Sequence, residues 1–566
     1  MKYLYQFIIV VCVSCVLGSC ADLMDTDSEL VAFEKDNTLD HPTDSVYSVM
    51  GIIGKMQVIA DRTVLLGEVR GDLLITTDAA SADLKKLAAF DYSGTNRYNA
   101  VSDYYAVINN CNYFIANVDT ALQRRGRTLF TSEYAAVKTF RAWAYLELVK
   151  AYGQVPLVTE PVMTEQRAQE EMNKPRVGIN EICNFFIDDL KPYALTELPR
   201  YGTVSGYDSK LFFIPTRALL GDLCLWAGRY QEAATWYHDY LTDKNNPLLM
   251  NSRARTTWPS NVTEFNLANP TNGYNPTSLN ETLSFIPMED RVFDGVVSDL
   301  GNVFNSTREN NYYYQVTPSP AMQQISAAQT YCMEYQSGTE TDTIYVPKIG
   351  LQKDVMIGDL RLNANYSQSS SGGQDEYSEF SSIRQNISKI LTSRITTYRL
   401  NMIYLRYAEA LNRSGFPQSA LAVLKYGLCP ENNVAYVDSI EQDRAGSLIE
   451  FDPNIFTREE VIGIHSLGSG DSQANAYYVL PMPAQQLASL QDTIDYQIPL
   501  VEDMIIDEMA LEGAFEGYRF YDLMRVALRR NASEYLADPI SRRWGATDES
   551  LRALLMDRKN WYLPLP

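Results

Sequence analysis

Apolar residues recur at helical spacing through most of the chain. HPTDSVYSVMGIIGKMQVIA (41–60), VSDYYAVINNCNYFIANVDTAL (101–122) and YAAVKTFRAWAYLELVKAYGQVPLV (134–158) each carry an apolar face at three- and four-residue steps. The third must stop at Gly153, and Pro156 prevents its continuation. TRALLGDLCLWAGRYQEAATWYHDYL (216–241) and LRYAEALNRSGFPQSALAVL (405–424) predict further helices, and IIDEMALEGAFEGYRFYDLMRVAL (505–528) predicts another near the end. Between 245 and 385 the periodicity fails. Asn, Ser, Thr, Pro and Gly dominate there with scattered aromatics, which reads as a loop-rich insertion with short strands, for example 343–347.

Two of the helical stretches share a spacing. Gly221, Gly228 and Ala233 are separated as Ala408, Gly415 and Ala420 are. Small–x6–Gly–x4–Ala is the tetratricopeptide (TPR) helix-turn-helix pattern. The first small residue lets two antiparallel helices approach, the glycine closes the first helix in a left-handed turn, and the alanine lies at the second close contact. Tyr230 fills the aromatic slot after the first turn, and Phe416-Pro417 starts the other second helix, where Pro is tolerated. Because the two units are far apart in sequence, they do not form a plain tandem array.

The front end has another pattern. Lys2 precedes an apolar run over 7–17, about the length of a signal-peptide core and too short to span a bilayer, which needs roughly 20 residues. Leu17-Gly18-Ser19-Cys20 then fits a lipoprotein cleavage site. Residues 1–19 are expected to leave as a leader, taking Cys12 and Cys15, and Cys20 to carry the lipid anchor. Residues 20–40, opening with Asp22, Asp25 and Asp27, read as an acidic tether.

Charge and chemistry narrow the function. The formal net charge is −22, which argues against nucleic acid, since phosphate binding needs basic patches. Beyond Cys20 the cysteines are Cys111, Cys183, Cys224, Cys332 and Cys429, with no C-x-x-C, a poor match to disulfide frameworks or zinc sites. No HExxH, GxSxG or Walker A loop occurs, and no catalytic residue is assigned. Of three histidines, His465 lies near Ser466, Ser469 and Asp471 in GIHSLGSGDS, which reads as a loop. Arg70-Gly71-Asp72, an integrin-type tripeptide, reads as a coincidence. Glu508, Glu512 and Glu516 share one helical face, and Arg519 stands three residues from both Glu516 and Asp522, so an ion-pair helix is expected. Gly513 and Gly517 inside it indicate that another backbone packs there. No metal site or cofactor is expected, and nothing in the sequence supports a Ca²⁺ ion.

Taken in order, the cleavage site with its acidic tail, FRAWAYLELVKAYGQVPLV, LLGDLCLWAGRYQEAA, GDLR (358–361), RYAEALNRSG and IDEMALEGAFEGYRFYDLMRV resemble the SusD/RagB family of surface lipoproteins. The chain departs from the family pattern at Gly513-Ala514 and Val526, in the long 427–500 connection carrying VLPMPAQQL, and in its NWYLPLP ending. The resemblance implies a nutrient-capturing lid on a SusC-like TonB-dependent outer-membrane transporter, lipid-anchored and facing the cell exterior. The implied ligand is an oligosaccharide, with oligopeptide capture as in RagB the alternative and a surface glycoside hydrolase less favoured. The expected architecture for 41–566 is mainly α. TPR-like hairpins form an α-α superhelix over about 41–245 and 385–430, a loop-rich, minor-β, ligand-facing insertion covers 246–384, and a C-terminal region runs over 431–566.

Sugars present an apolar C–H face and a hydroxyl rim, met by aromatic rings and by amides, carboxylates or guanidinium groups. Trp143, Trp226 and Trp236 sit at helical positions and read as core. Loop aromatics are the candidates: Trp258, Tyr274, Tyr312, Tyr313 and Tyr331 in the insertion, where ten Asn fall within 261–311, and Tyr92, Arg97 and Tyr98 in FDYSGTNRYN.

Overall fold

The computed structural model describes residues 42–124, 126–250, 256–257, 271–272, 278–289, 295–304, 314–337, 340–346, 358–370, 383–471 and 477–565. The leader, Cys20 and the tether lie outside these residues, as do the candidates Trp258, Tyr274, Tyr312 and Tyr313.

The stacked helices are α1 (Pro42–Glu68), α2 (Val101–Asn117), α3 (Thr131–Tyr152), α4 (Ile179–Leu190), α5 (Thr216–Ala227), α6 (Tyr230–Leu241), α7 (Leu400–Arg413), α8 (Pro417–Lys425), α9 (Leu490–Glu512) and α10 (Arg519–Arg530). Each packs against the next in chain order, and α10 returns to α1. The stack is therefore continuous across the insertion, because α6 and α7 are neighbours in space. Both TPR-like hairpins form. Gly228 (φ 74°) closes α5, its N–H reaching the Cys224 and Leu225 carbonyls. A Cβ on Gly221 would stand 2.3 Å from the Tyr237 ring, so the small residue is what lets α5 and α6 approach. Ala233 and Ala420 are fully buried at the second contact.

Among the described residues every sheet is a two-stranded antiparallel ladder. Thr282–Pro287 pairs with Arg394–Arg399 and closes the insertion at its base. Within it, Tyr331–Ser337 pairs with Glu340–Val346, and Tyr366–Ser370 with Ile383–Ile387. Leu74–Thr76 pairs with Val316–Pro318, and the Asp61 carboxylate accepts from Ser298 Oγ (2.6 Å) and the Asp299 N–H (2.7 Å), fastening the insertion to α1. No helix among the described residues is long and apolar enough to cross a membrane.

The expected helix over 505–528 is two helices. A turn over 513–518 separates α9 from α10, with Phe515 at φ 71° and Gly517 at φ 96°. A Cβ on Gly517 would lie 2.4 Å from the Thr63 carbonyl oxygen, so the backbone of α1 crosses directly over this turn. Glu68, at the end of α1, accepts the freed N–H groups of Gly517 (2.9 Å) and Tyr518 (3.2 Å).

The acidic residues of this region are held by arginines from other elements. Arg361 bonds Asp359 in a fork (2.9 and 2.7 Å) and pairs with Glu508 (2.7 Å) and Glu512 (2.9 Å), all fully buried. Arg399 pairs with Glu512 (2.5 Å) and Glu516 (2.7 Å), and Lys389 with Glu516 (2.5 Å). Burial raises the Glu508 pKa, but Arg361 and His465 outweigh it and bring it down to about 2. Arg519 does not bridge Glu516 and Asp522. It grips Asp72 instead (2.6 and 2.9 Å), because the turn at 513–518 swings it away from the α9 face, and Asp522 pairs with Arg525 (2.8 Å). Arg70 and Asp72 are thus interior residues, which removes the tripeptide from the surface. His465 is also interior, its Nδ1 2.8 Å from Glu508.

Candidate functional site

A cleft of about 850 Å³ opens where the end of α3 meets the chain's last residues. This lies within the range of roughly 300–1,000 Å³ typical of ligand pockets. One wall is Tyr152 and Gln154 with the 562–565 segment, docked by the Leu563 N–H on the Ala151 carbonyl (2.9 Å). The facing wall is Arg176 and the start of α4, positioned by the short ladder Val155–Pro156 with Arg176–Val177. The floor is Trp226, in the last turn of α5, with Arg525 and Arg529 from α10. Tyr92 also lines the cleft, with its hydroxyl buried.

The floor is fixed by charge and packing. The Arg525 guanidinium lies 5.5 Å from the Trp226 ring centroid. It also donates to Glu409 (2.8 Å) and Asp522 (2.8 Å). Burial works against its charge, but Glu409 and Asp522 more than offset this and its pKa is raised. Arg529 donates to the Trp226 and Leu225 carbonyls at the end of α5. Burial raises the Tyr92 and Tyr562 hydroxyl pKa values, keeping both neutral hydrogen-bonding groups. The lining combines aromatic rings with amide and guanidinium groups, the set suited to a sugar's C–H face and hydroxyl rim. It includes no Asp or Glu, whereas a glycosidase of the usual kind places two carboxylates at the scissile bond. Among the described residues no group of three or more His, Cys, Asp or Glu is arranged to hold a metal ion.

The loop candidates divide. Tyr92 lines the cleft. Arg97 and Tyr98 do not: Arg97 bonds the Tyr98 hydroxyl (2.6 Å) and pairs with Asp299 (3.0 Å), tying this loop to the insertion. Tyr98 is buried. Tyr331, expected to face ligand, is 2% exposed, because it begins a strand packed under Gly470. Trp226, which reads as core from its helical position, is largely buried yet borders the cleft. Sequence reasoning misses Trp226 and Tyr562. The available signal is the place of Trp226 just before the turn glycine of its hairpin, where a helix end leaves one face open.

No family model and no curated protein matches the chain by sequence. Solved structures do match in three dimensions. A SusD superfamily protein from Bacteroides vulgatus superposes with a TM-score of 0.54 at 14% identity, over 93% of this chain and 96% of its own. A SusD-like carbohydrate binding protein from Bacteroides fragilis gives 0.53 at 14% identity, over 88% of each chain. A SusD superfamily protein from Bacteroides thetaiotaomicron gives 0.50 at 15% identity, over 86% of this chain and 89% of its own. The chain has the fold of the SusD superfamily.

Proposed function

We propose that this protein is a cell-surface binding protein that captures an oligosaccharide in the cleft and passes it to a SusC-like TonB-dependent outer-membrane transporter without chemical change. The observation carrying this reading is the cleft, with aromatic rings and amide and guanidinium groups but no carboxylate pair, on a SusD-type fold. Cys20 carries the lipid anchor that holds the chain on the outer membrane, and residues 20–40 tether it.

The test is a binding screen of the soluble chain lacking residues 1–20, by calorimetry against a glycan panel and a peptide library. Saturable binding of one glycan class, weakened about tenfold by Trp226→Ala or Tyr562→Ala, supports the reading; tenfold is about 1.4 kcal/mol, within reach of one aromatic platform. Peptide binding with glycan silence moves the protein to oligopeptide capture. Turnover of a bound glycan replaces capture with hydrolysis.

A further inference from the structure

The charge of the cleft runs against the charge of the chain. The whole sequence carries a formal −22, yet the cleft lining holds Arg176, Arg525, Arg529 and Lys559 and no acidic side chain. Two of these cations are already matched. Arg525 is held by Glu409 and Asp522, and Lys559 by Asp557 (2.7 Å). Arg176 and Arg529 are not: among the described residues neither forms an ion pair with a carboxylate. The Arg529 bonds to the Leu225 and Trp226 carbonyls hold it in place at a helix end that offers only partial negative charge. Four cationic side chains and no carboxylate around one cleft offer paired N–H donors that an anionic ligand uses more fully than a neutral one.

We infer that the ligand of this cleft is an acidic glycan, and that Arg176 and Arg529 receive its carboxylate or sulfate groups. The inference rests on the oligosaccharide reading above. Guanidinium forks match planar carboxylates and sulfate oxygens in paired bonds. Tyr562, half-buried in the lining, would take the C–H face of the same glycan.

Calorimetry on the soluble protein would compare three probes: an oligogalacturonate, its carboxyl-reduced neutral form, and a sulfated galactan oligosaccharide. The expected result is binding of at least one acidic probe tenfold or more tighter than the neutral form, weakening as salt rises. The carboxylate and sulfate probes separate the two sources of charge. Arg176→Gln and Arg529→Gln should each cost about tenfold for the acidic probe, and Arg529→Lys should retain part of it. Arg176 is exposed, so its variant reports even if Arg529→Gln disturbs the end of α5. Equal binding of acidic and neutral probes, still sensitive to Trp226→Ala, overturns the acidic-ligand inference and leaves oligosaccharide capture standing. Silence toward every glycan, with binding of a peptide but not its C-terminal amide, overturns both.

Discussion

Glu68 offers a direct test of how burial and hydrogen bonding compete in this fold. Its side chain is fully buried at the junction of α1 with the 513–518 turn. Burial raises its pKa from 4.5 to about 7, against the opposing pull of the Gly517 N–H and its neighbours. The sign follows. A carboxyl whose folded pKa is raised stabilises the protein most when protonated, so stability falls as pH rises from about 4.5 to about 7 and levels off above. At ~1.36 kcal/mol per pH decade the full displacement is worth roughly 3 kcal/mol, most of which falls between pH 5 and pH 8. Glu68→Gln keeps the shape and the acceptor oxygen but cannot ionise. Urea unfolding of both proteins at pH 5 and pH 8 gives a double difference in which the other titrating groups cancel. The variant should gain about 2–3 kcal/mol relative to wild type between the two pH values. A difference that stays constant with pH refutes the reasoning, and would mean that the N–H donors at the start of α10 hold Glu68 ionised despite burial.

Other outcomes follow from single contacts. Gly517→Ala forces a Cβ toward the Thr63 carbonyl at a positive φ, and should lower stability by about 2–5 kcal/mol in the same unfolding assay. Asp72→Asn leaves Arg519 buried without its anion, and should cost about 3–5 kcal/mol, whereas a surface tripeptide would cost almost nothing. Burial raises the Cys111 and Cys224 thiols to about 12, so the five buried cysteines should ignore a disulfide reagent in the native protein and all react in denaturant.

The helices are legible in the sequence because their signals are local. Gly153 ends α3 where the sequence requires, and Gly228 closes α5 as its spacing predicts. The break between α9 and α10 is only half legible: Gly513 and Gly517 point to a backbone packed there, which is that of α1, but not to an interruption of the helix. Glu508, Glu512 and Glu516 keep a helical period straight through it, and what interrupts the helix is the backbone of α1 crossing Gly517, a contact between residues far apart in sequence. The same holds for the salt bridges: i,i+3 spacing points Arg519 at Glu516 and Asp522, while its partner Asp72 comes from the other end of the chain. The cleft is only partly legible. Tyr92 stands out in its loop, but Trp226 and Tyr562 come from a helix end and a terminal segment that meet only in the folded chain.

The pairing of Thr282–Pro287 with Arg394–Arg399 beneath the insertion has a consequence for how such proteins diversify. With α6 and α7 already in contact and the two entry strands zipped together, the segment above them begins and ends at one fixed point. Between its fixed contacts with the helices the segment can change length cheaply, since doubling a flexible closed loop costs only about 0.6 kcal/mol. The freedom has one fixed toll: Arg361 and Lys389 reach from this segment into the buried carboxylates Glu508, Glu512 and Glu516, so any outer segment grafted onto the same entry strands must bring cations to those positions.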